Sequence, residues 1–356
     1  MKPLGLAVVG CGAIAESKYL NNLQQHTDAA CLGFLGGRAA PYKEKWGAPG
    51  AAVYDSMDEL LADRRIDAVL VCTPNSTHAA LSIAALRGGR DVLCEKPMAL
   101  TAADAEEMVR AAEESGRILT IGHQSRFSPA ARRLHELCAA GALGAVYYAR
   151  CEMLRRRGVP TWGHFLSRER QGGGCLIDLG THAIDLALWM LDDFAPAYAM
   201  GAAYRGLADQ PTGANRWGPW DPSRFEVEDA AFGTVRMAGG ATLEIAASWA
   251  LNIPADREDV LTLCGTKGGA TLAGGKLTLN GVRGDAFYEE TLDLAGDWET
   301  ACREQLADFL DCVRTRRAPL VTARQSLGVS RVLDALYRSS ALRKPVEISF
   351  IPPRHA

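Results

Sequence analysis

The chain has 356 residues, of which 48% are apolar and 23% are charged, and its formal net charge is −3. This length allows two or three domains, and the composition is typical of a globular protein. Acidic and basic residues are mixed along the chain, so nothing favours a nucleic-acid partner. No apolar run approaches the roughly 20 residues that a membrane helix needs, and we expect no membrane partner.

Ten cysteines are scattered along the chain, and no two of them have the Cys-x-x-Cys spacing of zinc and redox motifs. Several lie inside apolar runs, where a reduced thiol behaves as a small apolar group. The sequence therefore predicts a reducing compartment and no metal site. The N-terminal apolar run is too short for a signal peptide, so we expect a cytoplasmic protein.

From residue 4 to about residue 122, short apolar runs alternate with amphipathic segments that are typical of helices. The runs are residues 6–9, 30–35, 68–72, 91–94 and 118–121. Strands that are apolar throughout and separated by helices predict a parallel sheet covered on both faces. We therefore predict an α/β fold whose residues 1–124 form a Rossmann NAD(P)-binding domain of the doubly wound type.

After Arg126 the pattern changes. It predicts a helix over 127–140, a strand over 146–153, a buried helix over 175–191 and then alternating strands between 197 and 279. Glycine-rich turns separate these strands, which is typical of an antiparallel sheet. Two more helices, about 300–315 and 323–340, follow. We predict that residues 125–356 form an α+β domain with a large, open, mainly antiparallel sheet.

The first apolar run ends in a glycine-rich turn, Gly-Cys-Gly-Ala-Ile-Ala at residues 10–15. Gly10 permits a tight turn, Gly12 lets the backbone approach a pyrophosphate, and Ala15 allows close packing of helix on strand. Free N–H groups at the start of the helix can then bind the phosphates. The turn predicts a dinucleotide site, against the alternative of a purely structural strand-to-helix turn.

The second strand ends without the acidic residue that holds the ribose 2′-hydroxyl of NAD. Instead the chain has Leu-Gly-Gly-Arg at residues 35–38, which leaves room at Gly37 and a guanidinium at Arg38 for a 2′-phosphate. We expect NADP in preference to NAD. The alternative is that Arg38 only stacks on the adenine and the cofactor is NAD.

The run at 68–72 leads into Cys72-Thr73-Pro74-Asn75, where a nicotinamide ribose would pass. His78 follows in the first turn of a helix, and a structural role for it is as reasonable as a cofactor contact.

Two further motifs carry chemistry. Glu95-Lys96-Pro97 closes the run at 91–94, and Asp178 precedes His182 by four residues in the apolar segment 175–191. The first motif puts an ammonium at a strand end. The alternative is a structural salt bridge between Lys96 and Glu95. The second puts a carboxylate and an imidazole on one face of a buried helix, where such groups are costly unless paired or functional. The alternative there is a structural pair.

Together these motifs resemble the Gfo/Idh/MocA family of oxidoreductases, and the resemblance covers nearly the whole chain. It rests on Gly10-x-Gly12, Thr73-Pro74-Asn75-x-x-His78, Glu95-Lys96-Pro97, residues 122–127 and Asp178-x-Gly180-x-His182. The family implies NAD or NADP, and an open sheet in the second domain that commonly mediates dimer or tetramer contacts. The expected cofactor contacts are Gly10, Gly12, Ala13, Ile14, Gly37, Arg38, Cys72, Thr73, Pro74, Asn75, His78, Glu95 and Lys96.

The resemblance also implies that Lys96, Asp178 and His182 bind the substrate and relay its proton. A histidine with an ordinary pKa of about 6.5 suits a general base, so we assign acid–base catalysis to His182. A lysine can stabilise negative charge on the reacting oxygen. Asp178 would orient the substrate or the imidazole.

The substrate is less well defined. Arg126, Arg156 and Trp162 are candidate contacts besides Asp178 and His182, because an arginine can meet an anionic group and a tryptophan can stack on a sugar ring. The alternative for the segment with Arg156 and Trp162 is a solvated charged loop or an oligomer contact. We expect a dehydrogenase or reductase of a sugar, cyclitol or related polyol, which assembles as a homodimer or homotetramer through the open sheet. The alternative is a redox-neutral enzyme that cleaves or epimerises glycosides by transient oxidation with tightly bound NAD.

Overall fold

A computed structural model describes residues 3–294 and 296–348 of the chain. Within that part, the residues cluster into two compact units. The first contains residues 3–127 and 297–327, and the second contains residues 128–294, 296 and 328–348.

The first unit contains a parallel sheet of six short strands. They are β1 (Leu4–Val9), β2 (Ala29–Leu35), β3 (Ala52–Tyr54), β4 (Ala68–Val71), β5 (Asp91–Cys94) and β6 (Leu119–Ile121). Their order is β3-β2-β1-β4-β5-β6, and every neighbouring pair is parallel. The strand order reverses between β1 and β4, which is the point where sheets of this type bind ligands at their carboxyl ends.

Helices cover both faces of this sheet. They are α1 (Asn21–Leu23), α2 (Ala39–Trp46), α3 (Met57–Ala62), α4 (His78–Arg87) and α5 (Ala102–Ser115), with a π-helical stretch Ala15–Leu20 leading into α1. In β1, Ala7 and Val9 belong to one buried apolar cluster, whereas Leu6 and Val8 belong to another. Because successive strand residues point to opposite faces, both faces are buried, as the uninterrupted apolar runs predict.

The second unit contains a nine-stranded sheet. Its strands are β7 (Val146–Leu154), β8 (Pro196–Tyr204), β9 (Ala230–Met237), β10 (Thr242–Ser248), β11 (Arg257–Gly265), β12 (Gly269–Ala273), β13 (Lys276–Arg283), β14 (Ala286–Asp293) and β15 (Val346–Glu347). The order is β14-β13-β12-β11-β7-β10-β9-β8-β15. All pairs are antiparallel except β7 with β10, which confirms the predicted fold class.

The remaining helices are α6 (Pro129–Ala139), α7 (Arg168–Gln171), α8 (Thr181–Leu191), α9 (Trp298–Thr315) and α10 (Ala323–Leu342), with a π-helical stretch Leu176–Gly180 before α8. Among the described residues, one helical stretch, Arg168–Leu191, is long and apolar enough to cross a membrane by length and composition. However, 78% of its apolar window is buried inside the protein, as in the core helix of a soluble protein. It is weak evidence for a membrane span.

Helix α9 belongs to a different unit from the one that the predicted division of the chain gives it. The predicted boundary at residues 124 and 125 lies near the break between Phe127 and Ser128, but residues 297–327 cluster with the first unit and not with the second. The physical reason is that Leu306, Phe309 and Leu310 of α9 are fully buried in the apolar cluster that also contains Leu6 and Val8 of β1. An amphipathic pattern predicts the buried face of a helix, but not the sheet that the face covers.

Candidate active site

The glycine turn follows β1 at the carboxyl edge of the first sheet. Gly10 has a φ of +97°, and a Cβ added there would lie 2.6 Å from the Cys72 carbonyl carbon and oxygen. Only glycine fits this position. At Gly12, in contrast, the nearest atom to an added Cβ is an Arg38 nitrogen 3.9 Å away. The backbone at Gly12 is therefore open on the side where a phosphate can approach.

The helix that follows has exposed residues at its start. Ala13 and Ile14 are exposed, whereas Ala15 is fully buried against the sheet, as close helix–strand packing requires. The N–H groups of a first helical turn have no partners within the helix. These exposed groups suit a pyrophosphate, so the residues present here fit a dinucleotide.

The end of β2 is exposed and has room for a ligand. No atom lies within 4 Å of a Cβ added at Gly37. The Nε of Arg38 donates to the Cys11 carbonyl oxygen at 3.2 Å, and its guanidinium lies 5.6 Å from the centre of the Tyr42 ring. Arg38 is thus held beside the glycine turn, and its side chain can reach an anionic group at this edge.

The segment after β4 separates into exposed and buried parts. Residues 72–75 are half-buried, and Asn75 starts a short 3-10 turn, Asn75–Thr77. His78 is fully buried, and its Nδ1 and Nε2 contact the carbonyl oxygens of Pro97 and Thr73 at 2.7 and 2.9 Å. Burial lowers the pKa of His78, and the two carbonyl contacts oppose that shift. His78 ties two loops together, which favours the structural role over the cofactor contact; the contact stays a prediction.

Glu95 lies at the centre of a buried polar network. Its Oε1 is 2.7 Å from the Nζ of Lys18 and accepts a hydrogen bond from the Tyr19 hydroxyl at 2.5 Å. Its Oε2 accepts from the Lys96 backbone N–H at 3.2 Å. Lys18 also donates to the Gly122 carbonyl oxygen and to Gln124 Oε1, both at 3.0 Å. Glu95, predicted as a cofactor contact, instead has both oxygens bound within the protein.

The charges in this network set its protonation state. Burial raises the pKa of Glu95, but the ammonium of Lys18 and the hydroxyl of Tyr19 outweigh burial and hold it below its ordinary value. Burial, with the neighbouring Glu95 charge, raises the pKa of Tyr19 well above its usual range. Glu95 is therefore a carboxylate and Tyr19 a neutral donor at pH 7.

Lys96 keeps partial exposure within an otherwise buried segment. Every other residue from Asp91 to Ala99 is buried. The peptide bond between Lys96 and Pro97 is cis. The backbone of Lys96 is held by Glu95 on one side and by the bond from His78 to Pro97 on the other. The backbone of Lys96 is thus held in place directly after β5, which ends at Cys94.

In the second unit, Asp178 and His182 stand out by their exposure. From Gly173 to Asp185 every other residue is buried, whereas these two are half-buried. They lie on consecutive turns, with Asp178 in the π-helical stretch and His182 in α8. Such π-helical turns are frequent at functional sites. The predicted pair therefore shares one accessible strip on a buried helix.

Asp178 has a partner that the sequence did not reveal. The indole Nε1 of Trp249, a fully buried residue just after β10, donates to Asp178 Oδ2 at 3.1 Å. The Trp249 backbone N–H in turn donates to the Asp229 carbonyl oxygen at 2.8 Å. One carboxylate oxygen of Asp178 is thereby fixed in place.

The predicted substrate contacts have different environments. Arg126 is fully buried, and its Nη1 donates to Gln325 Oε1 at 2.8 Å; its contact with substrate stays a prediction. Arg156 lines a cavity of about 810 Å³ in the second unit together with Arg216 and Asp256. Trp162 is 50% exposed beside a second cavity of about 480 Å³. Arg156 and Trp162 are thus accessible to a ligand.

These features define a class of enzyme: a nicotinamide-dependent oxidoreductase with a Rossmann unit and a second unit built on a large sheet. Residues 4–123 match the family model described as an oxidoreductase family with an NAD-binding Rossmann fold, and residues 131–271 match the GFO/IDH/MocA C-terminal domain. The chain belongs to the Gfo/Idh/MocA family of oxidoreductases.

Individual relatives are similar over almost the full chain. D-glucoside 3-dehydrogenase of Escherichia coli (strain K12) is 31% identical over 97% of this chain and 98% of the relative. The scyllo-inositol 2-dehydrogenase (NAD(+)) of Bacillus subtilis (strain 168) is 27% identical over 89% and 88%. The crystal structure of aldose-aldose oxidoreductase from Caulobacter crescentus, complexed with glycerol, has a TM-score of 0.80 and 26% identity over 97% of this chain and 100% of that chain. These names favour oxidoreduction over the redox-neutral alternative.

Proposed function

We propose that the protein transfers a hydride between a nicotinamide cofactor and a carbinol carbon of a sugar, cyclitol or related polyol. Relatives that act on glucosides and inositols, by their names, support this substrate class. The observation that carries the assignment of residues is the exposure pattern of the catalytic helix. Only Asp178 and His182 are accessible between Gly173 and Asp185, and a carboxylate next to an imidazole is what removal of a hydroxyl proton needs.

Each residue has one task in this proposal. His182 accepts the hydroxyl proton as the alcohol is oxidised and returns it in the reverse direction. Asp178, held by Trp249, accepts a hydrogen bond from the substrate or orients the imidazole. Lys96 donates to the reacting oxygen and stabilises the negative charge that develops there.

The cofactor supplies the redox chemistry: when bound, the nicotinamide accepts or donates the hydride. The N–H groups at Ala13 and Ile14 would hold its pyrophosphate, which the open backbone at Gly12 lets approach, and residues 72–75 would flank its ribose. Because Gly37 is open and Arg38 lies at the same edge, we propose NADP as the preferred form.

The test of the main proposal is a panel of polyols, aldoses and glycosides with each cofactor, followed by absorbance of the reduced nicotinamide and by product analysis. His182→Asn and Lys96→Met should each lower kcat at least 100-fold, because general acid–base catalysis contributes roughly 10²- to 10⁴-fold and one donor to a developing negative charge roughly 10²- to 10³-fold. His26→Asn and Lys43→Met, on partly or fully exposed residues outside these motifs, are the matched controls. Full activity of the His182 and Lys96 variants would refute the assignment.

The cofactor preference has its own test. Arg38→Gln should raise the KM for NADP about tenfold or more and leave the KM for NAD nearly unchanged, because only NADP carries the phosphate. Arg87→Gln is the control. An equal change for both cofactors would mean that Arg38 contacts a part that they share, such as the adenine, and would remove the basis for the NADP preference.

We also propose a cytoplasmic homodimer or homotetramer, without nucleic-acid or membrane partners. Strand register aligns Tyr198, Met200, Tyr204 and Phe232 on one face of the second sheet, and all four are exposed. Covering such a patch favours association of two copies. Light scattering should give a mass of two or four chains for the wild type and of one chain for Met200→Asp, whereas a wild-type monomer would contradict this proposal. Cell fractionation tests the compartment.

A further inference from the structure

The second unit carries two exposed tryptophans that contact each other. Trp162 and Trp217 are 50% and 38% exposed, and their rings meet edge to face with centres 4.8 Å apart. Large aromatic side chains normally gain free energy by burial. A paired and accessible set of this kind is typical of a binding surface.

The loop that carries Trp217 is fixed by a buried asparagine. Asn215 accepts from the Val159 N–H at 2.8 Å and donates to the Val159 and Gly218 carbonyl oxygens at 3.0 and 2.6 Å. The Trp217 carbonyl oxygen accepts from the Thr161 hydroxyl at 3.0 Å. The segments on which the two tryptophans lie are thus joined by hydrogen bonds between side chains and backbone.

The Trp217 ring is also held by charge. The guanidinium groups of Arg155 and Arg216 lie 5.5 and 5.3 Å from its centre, and both donate to Glu258 at 2.6 and 2.7 Å. Cation–π contacts with two anchored arginines limit the motion of the ring. The aromatic surface is therefore largely ordered before a ligand binds, which lowers the entropy cost of binding.

Ring contacts connect this surface to the catalytic helix. Trp162 contacts Phe165 at 5.8 Å, and Phe165 contacts Trp249 at 6.4 Å between ring centres. Trp249 is the residue whose indole donates to Asp178. Trp162 thus lies two ring contacts, and Trp217 three, from the indole that fixes the catalytic carboxylate.

The cavity beside Trp162 combines an aromatic ring with polar groups. It has a volume of about 480 Å³, and Trp162, His164, Arg170 and Glu226 are among the residues that line it. A pyranose ring has an apolar C–H face and hydroxyl groups at its edge, so it can stack on an indole and hydrogen-bond to such side chains. The volume lies within the range of small-molecule pockets.

From these contacts we infer that Trp162 and Trp217 form a subsite for a second pyranose ring, so that the preferred substrate is a disaccharide and not a single sugar. The inference rests on the proposed function, because the first ring is the one that is oxidised. It assigns the specificity for the second ring to the aromatic pair and leaves the chemistry to Lys96, Asp178 and His182.

The test compares kcat/KM for methyl glucosides with kcat/KM for glucose disaccharides, using wild type, Trp162→Ala and Trp217→Ala. In both variants the ratio of disaccharide to methyl glucoside should fall roughly 3- to 10-fold, the equivalent of one aromatic contact. Trp162→Phe should recover most of the wild-type ratio. Phe287→Ala, which changes a 92% exposed aromatic residue elsewhere in the second unit, should leave the ratio unchanged.

Three results separate this inference from the proposed function. An unchanged ratio in the Trp162 and Trp217 variants overturns the second-ring subsite. So does an equal loss for both substrates in folded variants, since it would put the aromatic pair at the oxidised ring. If the wild type oxidises no member of the panel of polyols, aldoses and glycosides, the proposed function fails. Calorimetric Kd values for the methyl glucosides and disaccharides then decide the inference: tighter disaccharide binding that is lost in Trp162→Ala supports it, and equal binding overturns it.

Discussion

Replacing Glu95 with glutamine tests the buried network beneath Lys96. The side chains of Lys18 and Glu95 are 3% and 8% exposed, and their charged atoms are 2.7 Å apart. Glutamine keeps the shape of Glu95 but leaves the Lys18 ammonium buried with only neutral acceptors. Removing one partner of a buried ion pair typically costs about 3–5 kcal/mol. That is a large part of the roughly 5–15 kcal/mol by which a domain is stable.

The assay is urea unfolding followed by circular dichroism at pH 7. Glu95→Gln should lower the free energy of unfolding by about 3–5 kcal/mol, and the double variant Lys18→Met/Glu95→Gln should cost less than the sum of the two single variants. Because the pKa of Glu95 is lowered in the folded state, its contribution is complete above the unfolded pKa of about 4.3 and is lost as the pH falls below it. A loss of unfolding free energy under 1 kcal/mol in Glu95→Gln, or strictly additive losses in the double variant, would contradict a buried ion pair between Lys18 and Glu95.

Three further predictions concern stability and thiol chemistry. Gly10→Ala should destabilise the protein by at least 1 kcal/mol in thermal unfolding, because of its positive φ and its contact with backbone, whereas Gly37→Ala should change nothing. Burial raises the pKa of Glu228, so the contribution of its protonated form to the free energy of unfolding is lost as the pH rises through that raised pKa. The melting temperature of Glu228→Gln should therefore rise relative to that of the wild type between pH 4 and pH 8. Burial raises the pKa of the thiols of Cys31, Cys94 and Cys302 to about 12. A thiol reagent at pH 8 should therefore modify them only after unfolding, and rapid labelling of the native protein would contradict their burial.

Much of the fold could be predicted from the sequence because burial imposes a simple pattern. The apolar runs of the first unit are strands covered on both faces, and Thr101 starts α5 by accepting a hydrogen bond from the Asp104 N–H, as its capping-box spacing indicates. The three-residue strand β3 and the pairing of α9 with the first sheet escaped prediction. Short strands and long-range helix docking depend on tertiary packing, which no local period encodes.

The sequence predicted the motifs of the candidate site better than the residues that hold those motifs in place. Lys96, Asp178 and His182 keep partial exposure among buried neighbours, which the motifs alone could only suggest. Glu95 and His78 serve the protein's own loops, because each meets partners that lie far away in sequence. Lys18 had one available signal: its spacing from Ala15 puts it on the buried stripe of the helix, where a lysine needs a carboxylate partner.

Hydride transfer from a carbinol carbon to the nicotinamide can be followed directly with deuterium. A sugar or polyol from the active set is prepared with deuterium on the carbon that becomes the ketone and is incubated with the wild-type enzyme and oxidised cofactor. Direct hydride transfer predicts one deuterium in the reduced nicotinamide per ketone formed, and at least a 100-fold slower transfer in His182→Asn. Deuterium released to water, or a product formed without label in the cofactor, would contradict it.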